Sequence, residues 1–318
     1  MDVNGKVYIA GHSGLVGSAI LRELKARGFT NCITRSHQEL DLTNQTKVNV
    51  FFKELKPEYV ILAAAKVGGI FANSSYPVDF IYQNIMIEAN IINAAYENNV
   101  KRLLFLGSSC IYPKFAKQPM EEEELLSGFL EPTNEPYALA KILGIKLCES
   151  YNIQYATDYR SVMPTNLYGI NDNFHPKNSH VIAGLMQRMH EAKLSNDKEV
   201  VVWGSGKAIR DFLYVDDMAK ASLFILELDK FSYQAKTHPS LSHINIGTAK
   251  GVTIKKLAEI MKEVIGYEGR LVFDKNFPDG APKKLLNVKK IENLGWKPKV
   301  DIEEGLIMTY KWYKENAL

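Results

Sequence analysis

Apolar positions along this chain follow two alternating rhythms. Residues 6–10 form a short apolar run that ends in glycine, which predicts a buried strand. Residues 15–27 carry apolar side chains at helical spacing and stop at Gly28, a residue suited to ending a helix. The alternation continues with predicted strands at 33–34, 59–63, 102–107 and 156–162. Predicted helices fall between them at 47–55, 79–98 and 135–151. Strand and helix in regular turn predict an α/β fold: a Rossmann-type doubly wound parallel sheet with helices on both faces. Ligands then bind at the carboxyl ends of the strands. After Tyr168 the rhythm changes. A polar loop covers 169–179, with a predicted helix at 180–193 and a strand at 199–203. Residues 212–228 read as a return to the first unit, and 243–246 as one more strand of its sheet. A helix at 253–265, a strand at 270–273 and a helix at 302–313 complete the pattern. The expected organisation is a nucleotide-binding domain over 1–168 with a returning segment near 212–247. Residues 169–211 and 248–318 are expected to form a smaller C-terminal α/β substrate lobe.

Composition narrows the function classes. At 318 residues, with 46% hydrophobic and 24% charged residues, the chain fits a soluble globular protein. The net charge of +3 does not suggest a partner in nucleic acid. Cys32, Cys110 and Cys148 are odd in number and far apart, without zinc spacing, so no metal is expected and a reducing compartment is. No apolar run approaches the roughly 20 residues that span a bilayer, and the N-terminus lacks the order of a signal peptide. The expectation is a cytoplasmic protein with no membrane partner.

Two motifs carry chemistry. Gly11-His12-Ser13-Gly14-Leu15-Val16-Gly17 joins the first predicted strand to the first helix. Glycines there permit a tight turn, close approach of pyrophosphate to backbone and tight helix packing, while the helix N-terminus offers N–H groups. A site for NAD usually has an acid at the tip of the second strand, on the ribose 2′-hydroxyl. Here the tip reads Thr34-Arg35-Ser36-His37, with no acid before Glu39. Such a tip suits a 2′-phosphate, so the expected cofactor is NADP(H). Asp41, followed by Leu42, is expected to lie under the adenine or to act as a plain helix cap. The second motif is Tyr137-Ala138-Leu139-Ala140-Lys141, with Asn134 as expected cap and Pro136 in the first turn. Tyr and Lys four residues apart share one helix face. An ammonium beside a phenol favours the phenolate, so the Tyr is expected to exchange a proton below its ordinary pKa of about 10.

With these motifs and Leu106-Gly107-Ser108-Ser109 in place, the chain resembles the extended short-chain dehydrogenase/reductase family. Longer segments resemble the branch of that family that acts on GDP-4-keto-6-deoxy-D-mannose. They are residues 63–70, 106–113, 131–138, 163–169, 172–176, 201–206 and 278–280. The resemblance implies inversion at C3 and C5 of this GDP-sugar, then reduction of its C4 ketone by NADPH. It implies Ser108, Tyr137 and Lys141 as the reductive triad, and Cys110 and His180 as the epimerisation pair. Leu106, Gly107, Ser108, Ser109 and His180 are implied as cofactor-binding, with Lys141 and Pro164-Thr165-Asn166-Leu167 on the nicotinamide side. Arg188, Trp203, Arg210 and Asp279 match positions that contact substrate. Many bacterial members carry Arg where this chain has Ser13 and His37, which leaves Arg35 as the nearest firm cation for a 2′-phosphate. The helices at 79–98 and 135–151 pack against their copies in that family, which implies a homodimer.

The residue types suit the reaction. Hydrogens beside a ketone are removable because the enolate spreads charge onto oxygen, and inversion needs a base on one face and an acid on the other. The Cys110 thiol can be the base if positive charge lowers its pKa, and His180 the acid. Arg188 and Arg210 offer forked donors to a pyrophosphate, and Trp203 an aromatic face to guanine or ribose. Lys283-Lys284 reads as a solvated charge pair. Two rival readings stay open: another nucleotide-sugar epimerase or dehydratase, and a non-catalytic dinucleotide sensor. A dehydratase commonly has an acidic pair where Ser109 and Cys110 stand, and a sensor tends to lose the Tyr or Lys that this chain keeps.

Overall fold

A computed structural model describes residues 1–175, 179–277 and 279–317. Pro176 and Pro278, which belong to two of the resembling segments, lie outside the described residues. In chain order the first unit contains β1 (Val7–Ala10), α1 (Leu15–Ala26), β2 (Cys32–Ile33), α2 (Gln45–Leu55) and β3 (Tyr59–Leu62). It continues with α3 (Ile70–Ser75), α4 (Pro77–Glu97), β4 (Arg102–Leu106), α5 (Glu135–Tyr155) and β5 (Tyr159–Pro164). Then come β6 (Asn166–Tyr168), α6 (Val181–Leu194), β7 (Glu199–Trp203) and β8 (Ile209–Tyr214). They are followed by α7 (Val215–Glu227), α8 (Lys230–Gln234), β9 (Ile244–Ile246), β10 (Gly251–Thr253) and α9 (Ile254–Ile265). The chain closes with β11 (Arg270–Asp274), β12 (Lys283–Lys284), α10 (Lys289–Leu294) and α11 (Ile302–Asn316).

Six strands form one parallel sheet in the order β2-β1-β3-β4-β5-β9. The apolar runs Val7–Ala10 and Tyr59–Leu62 are buried throughout, as strands covered on both faces must be. This is the doubly wound Rossmann-type architecture, with its switch in strand order at the β1/β3 boundary. A smaller α/β unit holds the order β10-β8-β12 with β6 also on β8, and a two-stranded sheet of β11 and β7. Two hydrophobic cores match these units. One is built around the six-stranded sheet, and the other on Leu185, Met189, Val202, Leu257, Met261 and Leu306. Helix α7 lies against α1, so the chain returns to the first unit before β9 closes its sheet. Among the described residues no helix is long and apolar enough to cross a membrane.

Local chemistry sets the element ends. Gly28 takes φ +84° after α1, and its N–H donates to the Lys25 carbonyl at 3.0 Å. Asn44, Thr253 and Asp301 cap α2, α9 and α11 with side-chain oxygens. Helix α5 runs one turn beyond the expected end at 151. Ala156 stops it in the left-handed region, at φ 56°, where a glycine would have signalled the boundary. Strand β5 therefore begins at Tyr159 and not at 156.

Candidate functional site

The glycine loop sits at the switch in strand order. Gly11 takes φ +85°, and a Cβ there would meet the Ala64 nitrogen at 2.6 Å. A Cβ on Gly17 would meet the Gly11 carbonyl oxygen at 2.0 Å, so α1 approaches the turn only because residue 17 is glycine. Gly14 differs: its nearest neighbour would be 3.6 Å away. The protein's own packing does not need glycine at 14, and the space suits a pyrophosphate drawn close to backbone N–H groups at the α1 N-terminus. The His12 ring nitrogen Nδ1 is buried without a partner beside this cradle. These features fit a dinucleotide.

At the tip of β2, Arg35 and His37 are exposed. The Arg35 guanidinium lies over the Phe51 ring at 5.4 Å and donates to the Thr34 carbonyl at 2.8 Å. Glu39 folds back to accept from the Ser36 N–H at 2.7 Å. Asp41 is not the cap of α2, a position held by Asn44. Its carboxylate accepts from the Thr43 N–H at 2.9 Å, and hydrogen bonds from Thr43 hold its proton affinity below the usual range. The Leu42 carbonyl is pinned by Asn90 at 2.9 Å. Leu106 ends β4 and Gly107 and Ser108 follow it, where a Cβ on Gly107 would meet the Met163 side chain at 2.1 Å. Pro164 to Leu167 cross from β5 to β6, and Thr165 and Asn166 both donate to the Asp211 carbonyl, at 3.1 and 2.8 Å.

Ser108 caps a short 3-10 turn, Ser109–Ile111, and its Oγ accepts from the Cys110 N–H at 3.4 Å. One turn thus presents both hydroxyl and thiol. Tyr137 projects from the first turn of α5, edge-on to Phe80 at 6.3 Å. Lys141 lies one turn on, its ammonium 5.8 Å from the centre of the Tyr137 ring. The expected lowering of the phenol pKa is not found. Burial, reinforced by Cys110 and Glu88, pushes Tyr137 well above its ordinary value, and the Lys141 ammonium is turned toward the Leu106 carbonyl and Glu88. Asn134 occupies the N-cap of α5, but its side chain makes no cap hydrogen bond and its oxygen is buried without a partner.

His180 stands at the N-cap of α6. It is exposed at the surface, yet crowding by neighbouring protein atoms and the charge of Lys284 hold its proton affinity down. Burial raises the Cys110 thiol, against the pull of Lys284. The cation does pull the thiol down, as the role of base asks, but desolvation outweighs it. Lys284 is the common neighbour of both groups, and it was read from the sequence as a solvated charge. In the fold it is only partly exposed and pairs beside Arg210 across β12 and β8. Burial and Arg210 depress its own proton affinity, while Cys110 and Glu131 support it. A two-residue strand has no periodicity to betray it, so only the pairing with β8 reveals the role.

The four expected substrate positions form one surface of the second unit. The Arg188 guanidinium sits over Trp203 at 4.8 Å, and its Nε is buried without a partner. Trp203 also stacks on Phe277 at 4.7 Å and remains 44% exposed. Phe277 had no signal in the sequence pattern. Arg210 donates to the Asp279 carbonyl at 3.0 Å, and the Asp279 carboxylate accepts from the Ser205 N–H and hydroxyl at 2.7 and 2.6 Å. Asn171 joins the units by donating to the Ser13 carbonyl at 2.8 Å.

Residues 7–247 match the model of the NAD dependent epimerase/dehydratase family. The chain belongs to that family. Among epimerase/dehydratase relatives, the GDP-L-fucose synthase of Escherichia coli strain K12 is 59% identical over 311 residues, 98% of this chain and 97% of the relative. GDP-L-fucose synthase 1 of Arabidopsis thaliana is 57% identical over 99% of this chain and 95% of the relative. A solved GDP-mannoheptose C4 reductase from Campylobacter jejuni with NADP bound superposes with TM-score 0.90 at 40% identity. It covers 99% of each chain.

Proposed function

We propose that this chain is an NADP(H)-dependent enzyme that converts GDP-4-keto-6-deoxy-D-mannose to GDP-L-fucose by 3,5-epimerisation and then 4-keto reduction. The observation that carries the reading is the 59% full-length identity to a GDP-L-fucose synthase. The acid–base groups around Lys284 support it. Residues 11–17, Arg35, His37, Asp41 and Leu42 would hold the dinucleotide, with residues 106–109, Lys141, His180 and 164–167 on its nicotinamide side. When bound, NADPH supplies the hydride.

Arg188 and Arg210 neutralise the pyrophosphate of the substrate, with Trp203 and Asp279 shaping its pocket. Ser108 and Tyr137 donate to the C4 oxygen, which polarises the ketone and stabilises the enolate formed at C3 or C5. At each centre the Cys110 thiolate takes the carbon-bound proton and the His180 imidazolium gives one to the opposite face, and a proton passes from thiol back to imidazole through solvent before the next inversion. Thiolate with imidazolium carries the same number of protons as thiol with imidazole, so the working state needs no net proton uptake. Lys284 favours the thiolate. The same Ser108 and Tyr137 then serve reduction, with Tyr137 giving its proton to O4. We take 1–168 with 212–247 as the nucleotide lobe, and the remaining segments as the substrate lobe.

The test is direct. Mixed with GDP-4-keto-6-deoxy-D-mannose, the protein should oxidise NADPH and release GDP-L-fucose. No loss of reduced-cofactor absorbance ends the reading.

The protein is proposed to act in the cytoplasm as a homodimer. Helices α4 and α5 pack together, yet leave Val78 71%, Tyr82 60%, Leu139 43% and Leu143 37% exposed. Each helix contributes two of these one turn apart, a stripe suited to a second copy. Sedimentation should give twice the chain mass of 35.9 kDa. A monomer at micromolar concentration removes the dimer.

A further inference from the structure

Glu88 is a buried charge beside the proposed reductive centre that the reaction above does not use. It stands on α4, opposite Lys141 on α5. Its Oε1 lies 3.1 Å from Lys141 Nζ, and the two side chains are only 1% and 2% exposed. The contact is close but poorly directed. Neither Glu88 oxygen receives an aligned hydrogen bond, whereas the ammonium donates well to the Leu106 carbonyl at 3.0 Å. The Phe105 ring lies 4.8 Å from the same ammonium. Gly144 makes the room, three residues after Lys141 and on the same face of α5. A Cβ there would meet the Phe105 ring at 2.3 Å and Glu88 Oε2 at 2.8 Å. A carboxylate buried this deeply is costly, and structure alone would favour an apolar side chain between two helices.

We propose that Glu88 is a positioning residue for the reductive pair. It fixes the Lys141 ammonium between Leu106, Phe105 and Tyr137, and by keeping or releasing one proton it sets how much positive charge the Tyr137 phenol feels. The inference rests on the reading of Tyr137 as proton donor. From α5 the titratable groups facing Glu88 are Lys141, Tyr137 and Cys148. The turn after β4 brings Cys110 to Tyr137, β4 presents the Phe105 ring, and β5 presents the Ser161 hydroxyl to Cys148. Burial pushes Glu88 up to about 7, against the pull of Lys141. Its charge therefore changes close to neutral pH. The ionised carboxylate raises the Tyr137 phenol further, so removing that charge should lower it.

The single-turnover rate of NADPH oxidation reports this. Reduction needs the protonated phenol, so its alkaline limb follows Tyr137. Glu88→Gln keeps the size and removes the charge, and should move that limb to lower pH by about one unit. The KM for NADPH should change far less than the rate. Glu88→Asp should fall between wild type and Gln. A limb that stays put in Glu88→Gln overturns the inference, even if the variant is less stable. If the Gln variant does not fold, Glu88→Asp carries the test: its charge, one methylene further back, should shift the limb the same way by less, and an unmoved limb overturns the inference. Tyr137→Phe measured alongside separates the two levels. If the Phe variant still reduces, the reading of Tyr137 fails; if it does not and the limb is fixed, Glu88 alone is misread.

Discussion

Tyr137→Phe should slow NADPH oxidation by roughly 10²–10⁴-fold, the usual contribution of a positioned general acid. The change removes one oxygen from a half-buried ring whose packing rests on an edge contact with Phe80. Fold and cofactor affinity should therefore change little. Exchange of the sugar's C3 and C5 hydrogens with heavy water should fall less than reduction, because Ser108 still donates to the ketone oxygen. Both rates can be read on one sample, from cofactor absorbance and from deuterium in the recovered sugar. An unaltered reduction rate would remove Tyr137 as the proton donor.

Cys110→Ser should halt that deuterium exchange while NADPH binds as in the wild type. A serine hydroxyl fills nearly the same volume on the 3-10 turn but ionises far less readily than a thiol. Reduction of a sugar already epimerised should survive. Equal losses in exchange and in cofactor affinity would make Cys110 a packing residue, like the buried Cys148. The companion change is Lys284→Met. Lys284 holds the Cys110 thiol lower than burial alone would leave it. Its removal should move the acid limb of exchange to higher pH, by about one unit for loss of a nearby opposite charge. A limb that does not move would separate Lys284 from the base.

How far the sequence reaches depends on whether a signal is local. The sheet was legible because each parallel strand is covered on both faces and so reads as an apolar run, as at Val7–Ala10 and Tyr59–Leu62. The loop at 11–17 was legible because its turn demands glycine at two positions that packing closes to any Cβ. Boundaries failed where ordinary residues adopt the conformation expected of glycine, as Ala156 does at the end of α5. The spacing of Tyr137 and Lys141 was visible, but its electrostatics were not. The carboxylate that draws Lys141 away comes from another helix, 53 positions earlier in the chain. Lys284 was misread for the same reason: a charge looks solvated until a distant strand is laid beside it. The contacts of Trp203 with Arg188 and Phe277 join parts of the chain that no local pattern links.

Gly144 carries a practical lesson for anyone seeking a hardier variant. A glycine inside a helix is destabilising by roughly 0.5–1 kcal/mol relative to alanine, so position 144 would head any catalogue of routine thermostabilising swaps. Here the added methyl would drive into an aromatic ring and a carboxylate oxygen. The softness of α5 at that point is thus part of how the fold accommodates its hidden acid, and tougher versions should be sought elsewhere along the chain.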